Sequence, residues 1–208
     1  MIGFIYFIPY VAEVENEVSF QNYDGVFQFA GLLSMLIFNM LSATMFARFV
    51  VEDYSGKRAT LLFSYPVKKS KIFLAKVLLV LIFTLVAKII ATASAYLIFG
   101  FTESISPIVV QDVMSVGLIM EALKNLMVTA LALGVNGILA MRIGFNKKST
   151  STTLIAALIL SATYGHFIFN LVRNASTIVF LLSIIILSIV AKVIILMEFS
   201  RKINKMEA

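Results

Sequence analysis

Residues 25–47 contain no Asp, Glu, Lys or Arg, and Arg48 ends the run. A stretch of this length exceeds the roughly 20 apolar residues that an α-helix needs to cross the hydrocarbon core of a bilayer. Further long apolar runs cover residues 72–101, 117–141, 152–172 and 176–197. Inside lipid every backbone polar group must be satisfied within the segment, which leaves helices or closed barrels. A barrel would alternate apolar and polar residues over roughly 10-residue strands, and these runs do not alternate. The sequence therefore predicts an all-α integral membrane protein.

Composition agrees. Hydrophobic residues make up 61% of the 208-residue chain and charged residues 13%, against about 45–50% and about 25% in soluble domains. The formal charge of +6 does not point to nucleic acid, because the basic residues flank apolar runs instead of forming one soluble face. With no Cys and one His, a disulfide, a cysteine nucleophile and a multi-His metal site within one chain are all excluded. No catalytic residue and no metal ligand set is assigned.

Residues 1–11 are apolar but only about half the length of a span. They lack a basic start and a small-residue cleavage site, so they do not read as a signal peptide. Two readings stay open: the outer half of a first transmembrane helix whose cytoplasmic half is missing, or a short interfacial segment. With the former, five complete spans and a partial one make six in the full protein, a single permease-like domain over residues 1–208. Residues 102–116, with Glu103, Pro107 and Asp112, read as an interfacial turn or partly re-entrant piece.

Orientation follows from the positive charges near the spans. One set of loops holds Arg48, Lys57, Arg58, Lys68, Lys69, Lys71 and Lys76, then Arg142, Lys147 and Lys148, then Arg201, Lys202 and Lys205. The opposite loops hold Glu13, Glu15, Glu17, Asp24, Glu103 and Asp112, with Arg173 as their basic residue. The first set is expected on the cytoplasmic side, together with the C-terminus.

The longest polar interruption is residues 48–71. Glu52 and Asp53 are expected where a short helix begins, favoured by the positive end of its dipole. Leu61, Leu62 and Phe63 are apolar residues on the water side, which usually cover a partner. Pro66 ends any helix before it, and Lys68, Lys69 and Lys71 lie at headgroup level, each attracted to anionic lipid by roughly 1 kcal/mol. The pattern from Glu52-Asp53 through Gly56, Leu61-Leu62-Phe63-Ser64-Tyr65-Pro66-Val67-Lys68-Lys69 to Ile72 and Lys76 resembles the cytoplasmic signature of ABC-2-type transporter permeases. Lys68-Lys69 departs mildly from it, since many members carry a small polar residue and Arg there. Phe145-Asn-Lys-Lys148 before Ser149-Thr-Ser-Thr-Thr153 is similar to a Gram-positive subgroup.

That resemblance implies six helices per subunit, two identical or different permease subunits around a pathway, and a separate cytoplasmic ABC ATPase holding ATP and Mg. It further implies that the loop matching residues 52–71 docks into a cleft of that ATPase, with Glu52, Asp53, Gly56, Leu61, Leu62, Phe63, Pro66 and Lys69 as the coupling residues. The chain has no G-x-x-x-x-G-K-[ST] motif of its own, so it is expected to be no enzyme.

Several polar residues fall at bilayer depth. Lys88 lies about 18 Å along the helix from Lys76 at about 1.5 Å per residue. Because a lone charge in lipid is costly, Lys88 is expected to pair with Glu121, although Lys124 offers Glu121 a nearer partner one turn away. Asn125, Thr129, Ala132, Asn136 and Ala140 form a small, polar stripe suited to interhelical packing or to a substrate-facing wall. His166 and Asn170 stand one turn apart near the outer end of their span, where a single His is a hydrogen-bonding group or a proton relay.

The leading expectation is the membrane subunit of an ATP-driven exporter of a drug, an antimicrobial peptide or a similar amphiphile in a bacterial cytoplasmic membrane. An intramembrane enzyme would need paired Asp, Ser with His, or a zinc site at depth. An ion-coupled secondary transporter would need internal repeats. An adjacent ATPase gene separates the first from both.

Overall fold

The computed structural model describes residue 3 and residues 5–7, 23–54, 69–105 and 116–174, the side chains of Lys69, Val116, Tyr164 and 166–174 excepted. Four helices account for nearly all of them. Helix α1 spans Tyr23–Phe46 and runs on into a π-helical turn, Ala47–Val51; α2 spans Lys69–Ile105, α3 Val116–Lys147 and α4 Thr150–Asn174. Among the described residues three segments are long and apolar enough to cross a membrane: Tyr23–Val51, Ser70–Ile105 and Gly117–Lys147. The described residues are thus nearly all helical, with the long apolar helices of a membrane protein.

The helices exceed the expected runs at most ends. With 37 residues, α2 is about 55 Å long at about 1.5 Å per residue, well beyond an apolar core of about 30 Å. The part of 48–71 expected as loop shrinks accordingly, since Arg48 lies in the π-turn and Lys69 opens α2. Thr102–Ile105, expected in an interfacial turn, completes α2. The expected span 176–197 and the interfacial residues 106–115 lie outside the described residues.

α1, α3 and α4 pack on one another, and α2 lies across α1 and α3. The three-helix seam is built from small side chains, Ala43, Ala140, Ala156 and Ala157, which let backbones approach closely where no hydrophobic force separates lipid from protein. Gly144 is the tightest point, since a Cβ there would overlap Thr153. The α3–α4 turn follows directly. Lys148 takes a left-handed φ of 51°, the conformation that ends many helices. Ser149 then accepts from Thr152 N at 3.3 Å, capping the start of α4.

α2 turns Leu79, Ile82, Phe83, Ile90, Leu97 and Phe101 outward, all exposed and spaced to form the lipid-facing side. In its most apolar window 33% of residues are buried, against 61% for α3, so α2 is the least buried of the three long apolar helices. On α1 the buried positions Ser42, Ala43, Phe46, Ala47, Val50, Val51 and Tyr54 recur every four residues. A regular helix advances about 100° per residue and would carry Tyr54 about a third of a turn off that line. The wider π-turn, marked by Glu52 N donating to Ala47 O at 2.9 Å, absorbs the drift.

Candidate functional site: the base of the polar loop

The ends of the 48–71 interruption meet at one place. Val51 and Tyr54 at the close of α1, Phe73, Val77, Val80 and Leu81 at the start of α2, and Ile138, Met141 and Phe145 near the end of α3 form one buried cluster. Its centre is three rings. Tyr54 meets Phe73 edge-on with centroids 5.7 Å apart, Phe145 lies 5.8 Å from Tyr54, and Phe73 and Phe145 are 6.0 Å apart. Tilted and edge-to-face pairs at such distances contribute about 0.5–1.5 kcal/mol beyond area burial. Above the rings Asp53 and Lys76 form an ion pair. Each side chain keeps over a quarter of its surface exposed, so the pair aligns the two helix ends more than it stabilises them.

Glu52 and Asp53 stand at the C-terminal end of a helix, in the turn that follows Val51, where the dipole disfavours carboxylates; the short helix expected to begin there falls on residues 55–68, outside the described residues. Lys76 opposite Asp53 offsets that cost, because two helix ends of opposite sense are brought together there. A cavity of about 1040 Å³ opens beside the pair, lined among others by Arg48, Phe49, Glu52, Asp53, Lys148 and Ser149. Gly56, Leu61, Leu62, Phe63 and Pro66 lie outside the described residues; Lys69 is placed as the first residue of α2.

The polar residues at depth resolve differently from the expected pair. Lys88, fully buried, donates from Nζ to Thr129 Oγ1 at 2.8 Å, and Glu121 pairs with Lys124 at 2.5 Å. Register explains why Lys88 and Glu121 do not meet. Asn125 Nδ2 lies 3.4 Å from Tyr96 Oη, which sets these residues level on two antiparallel helices. From that level Lys88 is about 12 Å one way and Glu121 about 6 Å the other, at about 1.5 Å per residue.

Asn125 also donates to Phe27 O at 2.6 Å, as does Tyr96 Oη at 3.0 Å, so it joins three helices and is a packing residue. Asn136 is buried, and its Nδ2 has no partner among the described residues. His166 is on α4, its side chain outside the described set.

Sequence reasoning missed the ring trio. Its members are aromatics at the edges of three apolar runs, a placement common at membrane interfaces, but nothing in the sequence pairs them. It also missed Asn39, whose Nδ2 donates to Ala157 O at 3.0 Å and to Ser161 Oγ. The Tyr23 hydroxyl donating to Glu103 Oε1 at 2.8 Å was equally hidden.

No protein-family model and no solved structure matches the chain. It is similar to the uncharacterized protein YcbO of Bacillus subtilis (strain 168), 22% identical over 160 residues that cover 77% of this chain and 70% of that protein.

Proposed function

We propose that the chain is the membrane-spanning permease subunit of an ATP-driven exporter, working with a separate cytoplasmic ABC ATPase and a second permease subunit, identical or different. One observation carries this reading: the helix ends that flank residues 55–68, the segment holding Leu61-Leu62-Phe63 and Pro66, meet at a single packed base. Asp53 and Lys76 tie the two stems, and Tyr54, Phe73 and Phe145 join them to α3. A push on the loop reaches three helices through rigid contacts, as a coupling element requires. Packed cores respond to such a push by switching between arrangements instead of deforming smoothly.

In this reading ATP and Mg stay on the partner, the cargo is a drug, peptide or similar amphiphile, and the chain lies in a bacterial cytoplasmic membrane with its C-terminus inside. The similarity to a Bacillus subtilis protein is in keeping with the Gram-positive resemblance of the Phe145–Thr153 segment. The cargo class rests on analogy alone.

The test is co-purification with any ABC ATPase found encoded beside this gene, followed by ATPase assays on Leu62→Asp and Pro66→Ala. Loss of the complex from the first, or uncoupled hydrolysis from either, is the expected result. An ATPase that neither co-purifies nor responds refutes the reading.

A further inference from the structure

Lys88 lies buried in the α2–α3 seam with no carboxylate partner among the described residues. Within the apolar runs of the whole sequence Glu121 is the one carboxylate, and Lys124 takes it. At the helix ends, Asp24 bonds Gln28, Glu103 accepts from Tyr23 and Asp53 pairs with Lys76. Residues 25–47 of α1 and 150–165 of α4 carry no charge at all.

Around Lys88 donors outnumber acceptors. Its ammonium has three N–H groups and among the described residues one acceptor, Thr129 Oγ1, whose own proton goes to Asn125 O at 2.7 Å. One turn along α2, the fully buried Thr92 hydroxyl has no partner among the described residues. It forgoes the bond to the carbonyl four residues back that Thr84 makes on the same helix at 2.8 Å. A further turn on, Tyr96 is level with Asn125, so the orphan hydroxyl sits between the two cross-links of the seam. A buried charge left uncompensated is costly, and what the seam lacks is an acceptor bearing one negative charge.

We propose that Lys88 and Thr92 form an intramembrane anion site that takes a carboxylate, from a small acid or from the head of an acyl chain, when α2 moves off α3. A monoanion fits the single cation, since Lys124 is already neutralised. The carboxylate replaces Thr129 as acceptor for Lys88 and gives the Thr92 hydroxyl a partner. α2 has the smallest buried share of the three long helices, so moving it exposes less packed surface than moving α1 or α3. The site goes beyond the coupling proposal and does not depend on it, because the chain alone is the material of the test.

The purified chain in a neutral detergent is melted with sodium dodecanoate, dodecanol or sodium acetate. Dodecanoate at a hundredfold excess over its dissociation constant raises the melting midpoint by about 5–10 °C for a chain of this size, and dodecanol does not. Lys88→Met abolishes the shift, Thr92→Val shrinks it and Lys88→Arg keeps it. A shift with acetate as well assigns the site to small acids, and a shift with dodecanoate alone assigns it to acyl headgroups. The proposal is overturned if neither salt shifts the midpoint or if dodecanol matches dodecanoate. It is overturned equally if Lys88→Met keeps the shift. Should Lys88→Met not fold, Thr92→Val decides: it conserves shape, and an undiminished shift overturns the site.

Discussion

Truncating Phe145 to alanine tests whether the ring trio holds the loop base. Phe145 is buried, touches Tyr54 and Phe73, and lies among Met141, Val77 and Val51. Phe→Ala in a packed core costs about 3–5 kcal/mol, of which the two ring pairs account for about 1–3 kcal/mol. For a chain of 208 residues this lowers the melting midpoint by about 6–20 °C, at about 2–4 °C per kcal/mol. Ile159→Ala, at an exposed position on α4, serves as the control and stays near the parent value. The second readout is tryptic cleavage at Lys57, Arg58 and Lys68, which should accelerate in Phe145→Ala at temperatures where the bundle is still helical by circular dichroism. The third is a double-mutant cycle with Tyr54→Ala, with an expected coupling of about 0.5–1.5 kcal/mol. If Phe145→Ala melts with the control and cleaves no faster, the rings do not anchor the loop, and the mechanical path drawn from it to α3 fails.

Other variants probe separate joints. Thr129→Val leaves Lys88 without its described acceptor and should cost about 1–3 kcal/mol, measured by thermal melting, whereas Thr163→Val at an exposed site should be near neutral. Gly137→Val places a Cβ 2.7 Å from Ser42 Oγ and 3.2 Å from Phe46; overpacking of this kind costs about 1–3 kcal/mol, read as a lower midpoint. Tyr23→Phe removes the hydroxyl that bonds Glu103 and should cost about 1–2 kcal/mol while leaving the ring stack on Phe99 intact. The Asp53→Asn and Lys76→Met cycle should give a coupling below about 1 kcal/mol, because the pair is partly exposed; a larger value would make it a stabilising element in its own right.

Much of the architecture was legible because spans in lipid obey a length rule. Residues 25–47, 72–101, 117–141 and 152–172 each fall within one helical segment, since a predominantly apolar run as long as the hydrocarbon core is thick has few alternatives. Helix ends were less legible. Arg142 and Lys147 continue α3 past its apolar run, where hydropathy is silent but helical hydrogen bonds persist. Side-chain partners were least legible, as Lys88 shows. Charge alone pointed it at Glu121, yet the partner was fixed by the level at which Tyr96 meets Asn125, an interhelical offset with no sequence signature. Tyr54, Phe73 and Phe145 illustrate the same limit: three aromatics at three boundaries become a site through the geometry of chain reversal.

The π-helical turn at Ala47–Val51 fixes a phase. It holds the four-residue recurrence of buried positions from Ser42 to Tyr54 in line, so the face that α1 shows the bundle and the face that launches the loop are the same. Adding or removing one residue there would rotate everything beyond by roughly 100°, swinging Tyr54 out of the core and Asp53 away from Lys76. The turn is thus constrained in length and at its buried positions, while its outward side chains, Arg48 and Phe49, can vary.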